Sequence, residues 1–428
     1  MNNRLEALTR WLFLIFIYVM PFTNAFAITG TITLPVIVGI LLFFIMLIKL
    51  ILYPGIPKGF FGFDLILVAC FISVVLISYC INGLGNAKSL NHTIAYSTAF
   101  LVFYTTIKFT LFSLKDANKT IKTVLHAITI TCIISGVFTD IEFMLNLLFH
   151  FNINDFIPRP TAEDMFYYPN GLDMFIRARG FASESGHYAF MVELFGPLVA
   201  YYLYFSGLCN WKKWLKNFVF ILIGFSLVFT LSTSPLIVWP ITAVACVLFF
   251  HKAFYNYLKK RLLTVLVTSM VIGLIFLLLN YYFSAQEFIL GNFLGKFQTN
   301  SYYDRMNRNN FFFEHFARFD LIHKLIGVGP AGYSLLGFDM TRALITLYYN
   351  TAFELGILGL TILVLFLAYG LIKILQIKKT IAIFLFISLV GAALHYYIIS
   401  NYWFPWYWFV LAFAFFVEKN KNQLESKS

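Results

Sequence analysis

One stretch carries the densest cluster of ionisable side chains at the edge of an apolar run: Arg177-Ala178-Arg179-Gly180-Phe181-Ala182-Ser183-Glu184-Ser185-Gly186-His187. Guanidinium groups present paired N–H donors that match the oxygens of a phosphate. A helix starting within the stretch, with Ser183 or Ser185 as its cap, would add unpaired backbone N–H groups and the positive end of its dipole. Together these suit a phosphate or diphosphate. The competing role for Arg177 and Arg179 is simple pairing with Asp173, Glu184 or lipid headgroups. Glu184 and His187 are the groups here that could take a proton from a hydroxyl.

A second cluster comprises Asp304-Arg305-Met306-Asn307-Arg308, Glu314-His315, Arg318 and His323-Lys324. It would clamp a second anionic group, with Arg305 and Arg308 foremost and Arg318, His315 and His323 as further binding candidates; the two histidines rival Glu184 and His187 as the base. Gly327-Val328-Gly329-Pro330-Ala331-Gly332 formally matches GxGxxG, but no strand precedes it and Pro330 interrupts it, so it reads as a tight turn and not as a nucleotide site. No Asp-x-Asp and no GxSxG occurs. A metal site is not expected, Glu163-Asp164 being the nearest approach to one, and no cofactor is implied. Cys70, Cys80, Cys132, Cys209 and Cys246 lie in or beside apolar runs without zinc or disulfide spacing.

The elements that must position these groups are membrane helices. Of 428 residues, 60% are hydrophobic and only 12% charged, far below the soluble average of about 25%. Apolar runs of roughly 20 residues, the length that crosses a bilayer, fall near 10 to 28, 31 to 53, 62 to 82, 93 to 114, 121 to 147, 187 to 206, 217 to 233, 235 to 251, 262 to 283, 353 to 375, 379 to 399 and 402 to 418. The expectation is therefore a single all-α polytopic membrane domain over 1–428, with about twelve transmembrane helices. The runs flanking Ser232-Thr233-Ser234-Pro235 read either as two short spans or as one broken re-entrant unit. Ala25-Phe26-Ala27 imitates a signal-peptide cleavage site, but the length of the run favours an uncleaved first helix.

Lysine and arginine then set the orientation. With both termini in the cytoplasm, every cytoplasmic connection carries a basic residue, Lys108 among them, and Asp64 falls on the same side. The net charge of +12 is thereby topological and gives no support to a nucleic-acid partner. Two long outer loops remain, about 148 to 186 and 284 to 342, a length typical of lids and binding segments. Within the second, Phe312, Phe316 and Phe319 share one helical face opposite Glu314 and Arg318, as in a helix lying on the membrane surface or one packed down as a cap. Glu193 lies roughly 13 Å deeper than Glu184 along a helix, where an ionisable group needs a cavity or a partner.

With these features placed, the chain resembles the bacterial O-antigen polymerase and ligase superfamily. Arg177-x-x-Gly180-x-x-x-Glu184-Ser185 is similar to the arginine, glycine and acidic pattern of that superfamily's large outer loop. Leu325-Ile326-Gly327-Val328-Gly329-Pro330, followed by Glu354-Leu355-Gly356-Ile357-Leu358-Gly359-Leu360, is similar to its turn and the helix after it. Two departures stand out. Ile345-Thr346 occupies the region where ligases carry a His-Asn pair, which favours polymerase over ligase, and Ser234-Pro235 stands where the family often has Ser-Arg. The resemblance implies a GT-C-like, metal-independent glycosyltransferase of the bacterial inner membrane with its active site in two long periplasmic loops. It would move a growing glycan from undecaprenyl diphosphate to an incoming undecaprenyl-diphosphate-linked repeat unit. Its partners would be these lipid-linked oligosaccharides and membrane lipid, with a chain-length regulator and a flippase beside it. Arg177, supported by Arg179, would hold the donor diphosphate, and Arg305, supported by Arg308, the acceptor or leaving-group phosphate. A ligase-type transferase and a lipid-linked oligosaccharide flippase are the alternatives.

Overall fold

The computed structural model describes residues 2–52, 55–160, 177–251, 300–336 and 344–422. The expected span at 262 to 283, Glu163, Asp164, Asp173 and parts of both long loops lie outside the described residues. Among the described residues the chain is helical, with no strand, and seven helices are long and apolar enough to cross a membrane.

In chain order the helices are α1 Asn2–Val19, α2 Leu34–Leu52, α3 Phe63–Asn82, α4 Ala87–Ser113, α5 Ala117–Phe149, α6 Ser185–Phe205, α7 Lys213–Phe229, α8 Ser234–His251, α9 Asn300–Arg318, α10 Leu321–Ile326, α11 Gly332–Leu335, α12 Leu347–Leu375, α13 Thr380–His395 and α14 Pro405–Lys419. The apolar runs become helices close to where they are expected, with one shift. The first helix covers Asn2–Val19 and not 10 to 28: Arg4 and Arg10 ride on it, and it stops short of Pro21, which has no N–H to continue it. The runs around Ser232 form two helices separated at Leu231, which adopts a left-handed backbone with φ of 48°.

The bundle is organised around α14. Its residues from Pro405 to Val417 are all buried, and a helix that is apolar on every side is one enclosed by others. Around it stand α4, α12, α13 and α6. The middle of α4, Thr98–Thr106, winds as a π-helix, its freed geometry occupied by Thr105 and Thr106 hydroxyls donating to carbonyls five residues back. Large apolar side chains of α2, α3, α7 and α8 remain exposed, as a lipid-facing belt requires.

Two buried carboxylates and their partners alter the charge map. Lys108 and Asp64, expected at the cytoplasmic water interface, are buried against each other at 2.5 Å, with the Tyr104 hydroxyl donating to the same carboxylate. They cancel within the protein because neither can stay ionised there alone. Glu193 finds its required partner in His395 of α13, 2.5 Å away and equally buried, and its other oxygen accepts from Ser234. Removing one member should be far costlier than removing both: Glu193→Ala is expected to destabilise by about 3–5 kcal/mol. The apolar pair Glu193→Leu with His395→Phe should recover most of that loss, as read by thermal unfolding in detergent.

The second loop packs down as a cap. Phe312 of α9 is buried, with Phe316 and Phe319 alongside it, against Tyr349 and Phe353 of α12. The three-residue face is as the spacing predicts, but it seals onto protein and not onto lipid; the stacked rings of Phe312 and Tyr349 lie 4.7 Å apart.

Candidate functional site

The two clusters of ionisable residues and the ends of α3, α4, α6, α12 and α13 meet at one end of the bundle. The backbone N–H groups of Asn24 and Ala25 donate to Phe181 O, Trp406 Nε1 donates to Met20 O, and the His187 ring packs edge-on against Phe404.

The Arg177–His187 stretch is built upon a carboxylate that its local spacing does not reveal. Glu142, buried on α5, accepts from the backbone N–H of Arg179 at 3.1 Å and of Gly180 at 2.7 Å, and from Asn154 Nδ2 at 2.6 Å. Arg159 clamps the other side, donating to Ala182 O, Gly180 O and Asn154 Oδ1. Burial, and then the neighbouring Arg179, push the Arg159 guanidinium down to about 10, with Glu142 opposing. Arg179 itself is buried and donates to Ser183 O, and Arg177 Nε donates to Thr230 O at the end of α7. These two arginines thus brace the loop as well as lying at the head of α6.

That helix begins at Ser185, but neither Ser183 nor Ser185 caps it. Glu184 occupies the cap position and its side chain makes no capping bond. The Ser183 hydroxyl is engaged instead by His187 Nδ1 at 2.7 Å, because the loop's anchoring to Glu142 turns Ser183 toward the following helical turn.

The second cluster reaches this point through Arg305. Its guanidinium is half-buried and donates to Ile398 O at 3.2 Å, in the segment joining α13 to α14. Burial lowers its proton affinity, Glu184 opposes that, Arg308 adds to it and Asp304 opposes it again, so Arg305 and Glu184 lie within each other's electric field. Arg308 is paired with Asp304 at 2.6 Å. His323 does not join the group: it is bound to Asp320, which caps α10. His315 packs on Phe311, and Arg318 is exposed at the end of α9.

A third constellation escaped the sequence reading. Glu354 of α12 is fully buried, and its carboxylate takes Ala331 N–H at 2.9 Å, His92 Nδ1 at 3.0 Å and the Tyr96 hydroxyl at 2.8 Å. Asn350, one turn before it, donates to the Tyr96 hydroxyl, and Tyr96 stacks on Tyr402 with ring centroids 3.9 Å apart. Lys88 Nζ lies 4.6 Å over the Tyr333 ring. Burial raises the Tyr333 phenol, Glu354 raises it further and Arg308 counteracts, which ties this cluster to the arginines of α9. The faint signal for it was periodicity: Lys88, His92 and Tyr96 recur every four residues on α4, and Asn350 and Glu354 are four apart on α12.

No family model matches this sequence, and no curated protein matches it. Among the described residues no group of histidine, cysteine and carboxylate side chains is arranged to hold a metal ion. The residues resembling the superfamily's motifs serve identifiable local ends. Thr346, in the region of the ligase His-Asn pair, caps α12 by accepting from Tyr349 N; Ser234, in place of Ser-Arg, binds Glu193.

Proposed function

We propose that this chain is a membrane glycosyltransferase of the O-antigen polymerase kind. It transfers a growing glycan from undecaprenyl diphosphate to the free sugar end of an incoming undecaprenyl-diphosphate-linked repeat unit, on the periplasmic face of the bacterial inner membrane. In this reading the chain crosses the membrane about twelve times, with both termini cytoplasmic and a GT-C-like arrangement. It uses no metal or nucleotide sugar, and works alongside a flippase and a chain-length regulator.

The observation that carries this reading is Arg305. A guanidinium has five donors, and among the described residues Arg305 gives one of them to a protein acceptor. It is half-buried, beside Glu184 and at the head of α6. A cation that keeps most of its donors uncommitted among the described residues, at the end of a helical bundle, suits a phosphate that arrives on a lipid. Charge builds on the leaving diphosphate as the glycosidic bond breaks, and a prepositioned cation stabilises that charge more than the ground state.

A flippase reading draws on the Glu193–His395 pair, since ionisable residues within membrane helices mark transport paths. Deleting the gene separates the two. Loss of a polymerase leaves surface lipopolysaccharide bearing a single repeat unit, whereas loss of a flippase removes even that; absence of the single repeat would overturn the polymerase reading.

A further inference from the structure

Resting on the transferase reading above, we propose that His92 is the general base that accepts the proton of the acceptor hydroxyl, and that Glu354 is its positioning residue. The argument is a proton inventory. Ala331 N–H can only donate, and it bonds Glu354 Oε1 at 2.9 Å. The Tyr96 hydroxyl receives a bond from Asn350 Nδ2 at 3.3 Å and passes its own proton to Oε2 at 2.8 Å. A carboxylate approached by these donors is the ionised form, which only accepts. His92 Nδ1, 3.0 Å from the same Oε1, must then carry a proton, and the neutral ring keeps its lone pair on Nε2. Among the described residues nothing bonds that nitrogen.

A histidine fixed in one tautomer by a buried carboxylate is built to take a proton and to be stabilised once it has done so. His92 is partly exposed, whereas Glu354 is fully buried, so His92 is the accessible member of the dyad. Its ring stands edge-on to Tyr333 at 6.3 Å, the same ring that Lys88 Nζ overlies. Of the other candidate bases, Glu184 lies in the electric field of the Arg305 guanidinium, and His187 is buried between Ser183 and Phe404. Ala331 holds a left-handed backbone, with φ of 56°, while its N–H reaches Glu354; such a conformation persists only where the surroundings enforce it.

In the step, the acceptor oxygen forms its bond to the anomeric carbon of the donor sugar as the bond from that carbon to the diphosphate oxygen breaks. The electron pair leaves with the lipid diphosphate. The acceptor proton passes to His92 Nε2, and the imidazolium is held by Glu354 until water removes the proton. The titratable and charged groups around the dyad are Tyr333 beside the His92 ring, Tyr402 donating to the His92 carbonyl, Tyr96 donating to Glu354, and Lys88 and Arg308, which act on Tyr333.

The test uses the full chain in liposomes with lipid-linked repeat units purified from a strain lacking it, and follows single-turnover extension against pH. His92→Ala should lower the rate about 100-fold or more, the usual contribution of a general base, and abolish the fall in rate at low pH while leaving binding of the repeat unit unchanged. His92→Asn can still donate to Glu354 but offers no base, so it should be as slow as His92→Ala; recovery of activity in His92→Asn would make the residue structural and overturn the proposal. Glu354→Gln should move the low-pH limb to lower pH, and Glu354→Asp should return it part of the way. Wild-type extension with an unchanged rate and limb in His92→Ala would sink this proposal alone, while failure of the wild-type chain to extend the lipid-linked unit would sink the transferase reading and this proposal with it.

Discussion

Arg305→Ala is expected to reduce surface lipopolysaccharide to single repeat units while the protein remains at normal level in the membrane. In a reconstituted assay the loss should be about 100-fold to 1,000-fold in turnover, the range seen when one prepositioned donor to a developing oxyanion is removed. The side chain also donates to Ile398 O, so some of the deficit could come from the segment between α13 and α14. A hydrogen bond to a charged group contributes about 1.5–3 kcal/mol when buried, and the half-exposed Arg305 should lie at or below the lower end. Thermal unfolding should therefore shift only slightly. Arg305→Lys divides charge from geometry: an ammonium restores the positive charge but cannot donate to Ile398 O and to a phosphate through one planar fork. It is expected to fold normally and recover only a small part of the rate. A normal ladder of repeat units from Arg305→Ala would remove this residue from the site.

What the sequence discloses about this site depends on the range of the relation involved. Relations within one helical turn were readable: a helix opening near the arginine stretch, though not its cap, the Phe312, Phe316 and Phe319 face, and the turn at Gly327 are all consequences of local spacing. The need of Glu193 for a partner was readable too, because its cost follows from burial alone. Which partner it takes was not, since His395 is 202 residues away and nothing in the spacing of either helix specifies how their faces are matched. The same limit hid the Glu354 cluster. His92 and Glu354 are separated by 262 residues, and each alone looks like an isolated polar residue in an apolar helix. Glu142 is hidden for a different reason: backbone N–H groups carry no side-chain signature, so a carboxylate that organises a loop through them leaves no pattern in the loop itself.

The turn that formally imitates a nucleotide motif supplies the largest expected effect on folding. Gly327 and Gly356 meet backbone to backbone where α10 crosses α12, and both hold positive φ, 75° and 67°. A Cβ on Gly327 would stand 2.2 Å from the carbonyl carbon and oxygen of Glu354, and one on Gly356 would stand 2.3 Å from those of Leu325. Neither obstacle is a side chain that can rotate away. Each alanine should therefore cost about 1–3 kcal/mol in backbone strain and about 1–3 kcal/mol in overpacking, against a gain of about 0.4–1 kcal/mol from a stiffer unfolded chain. Gly224→Ala is the control, because a Cβ there meets nothing within 4 Å, and it should leave thermal unfolding in detergent unimpaired. The double variant Gly327→Ala with Gly356→Ala should cost clearly less than the two singles added, because one separation of the crossing relieves both clashes; strict additivity would show that the two glycines do not share one contact. Activity should fall further than stability in either single variant. The Glu354 carbonyl accepts from Ser78 Oγ and Gly329 N, so pushing α10 away displaces the residue whose carboxylate orients His92.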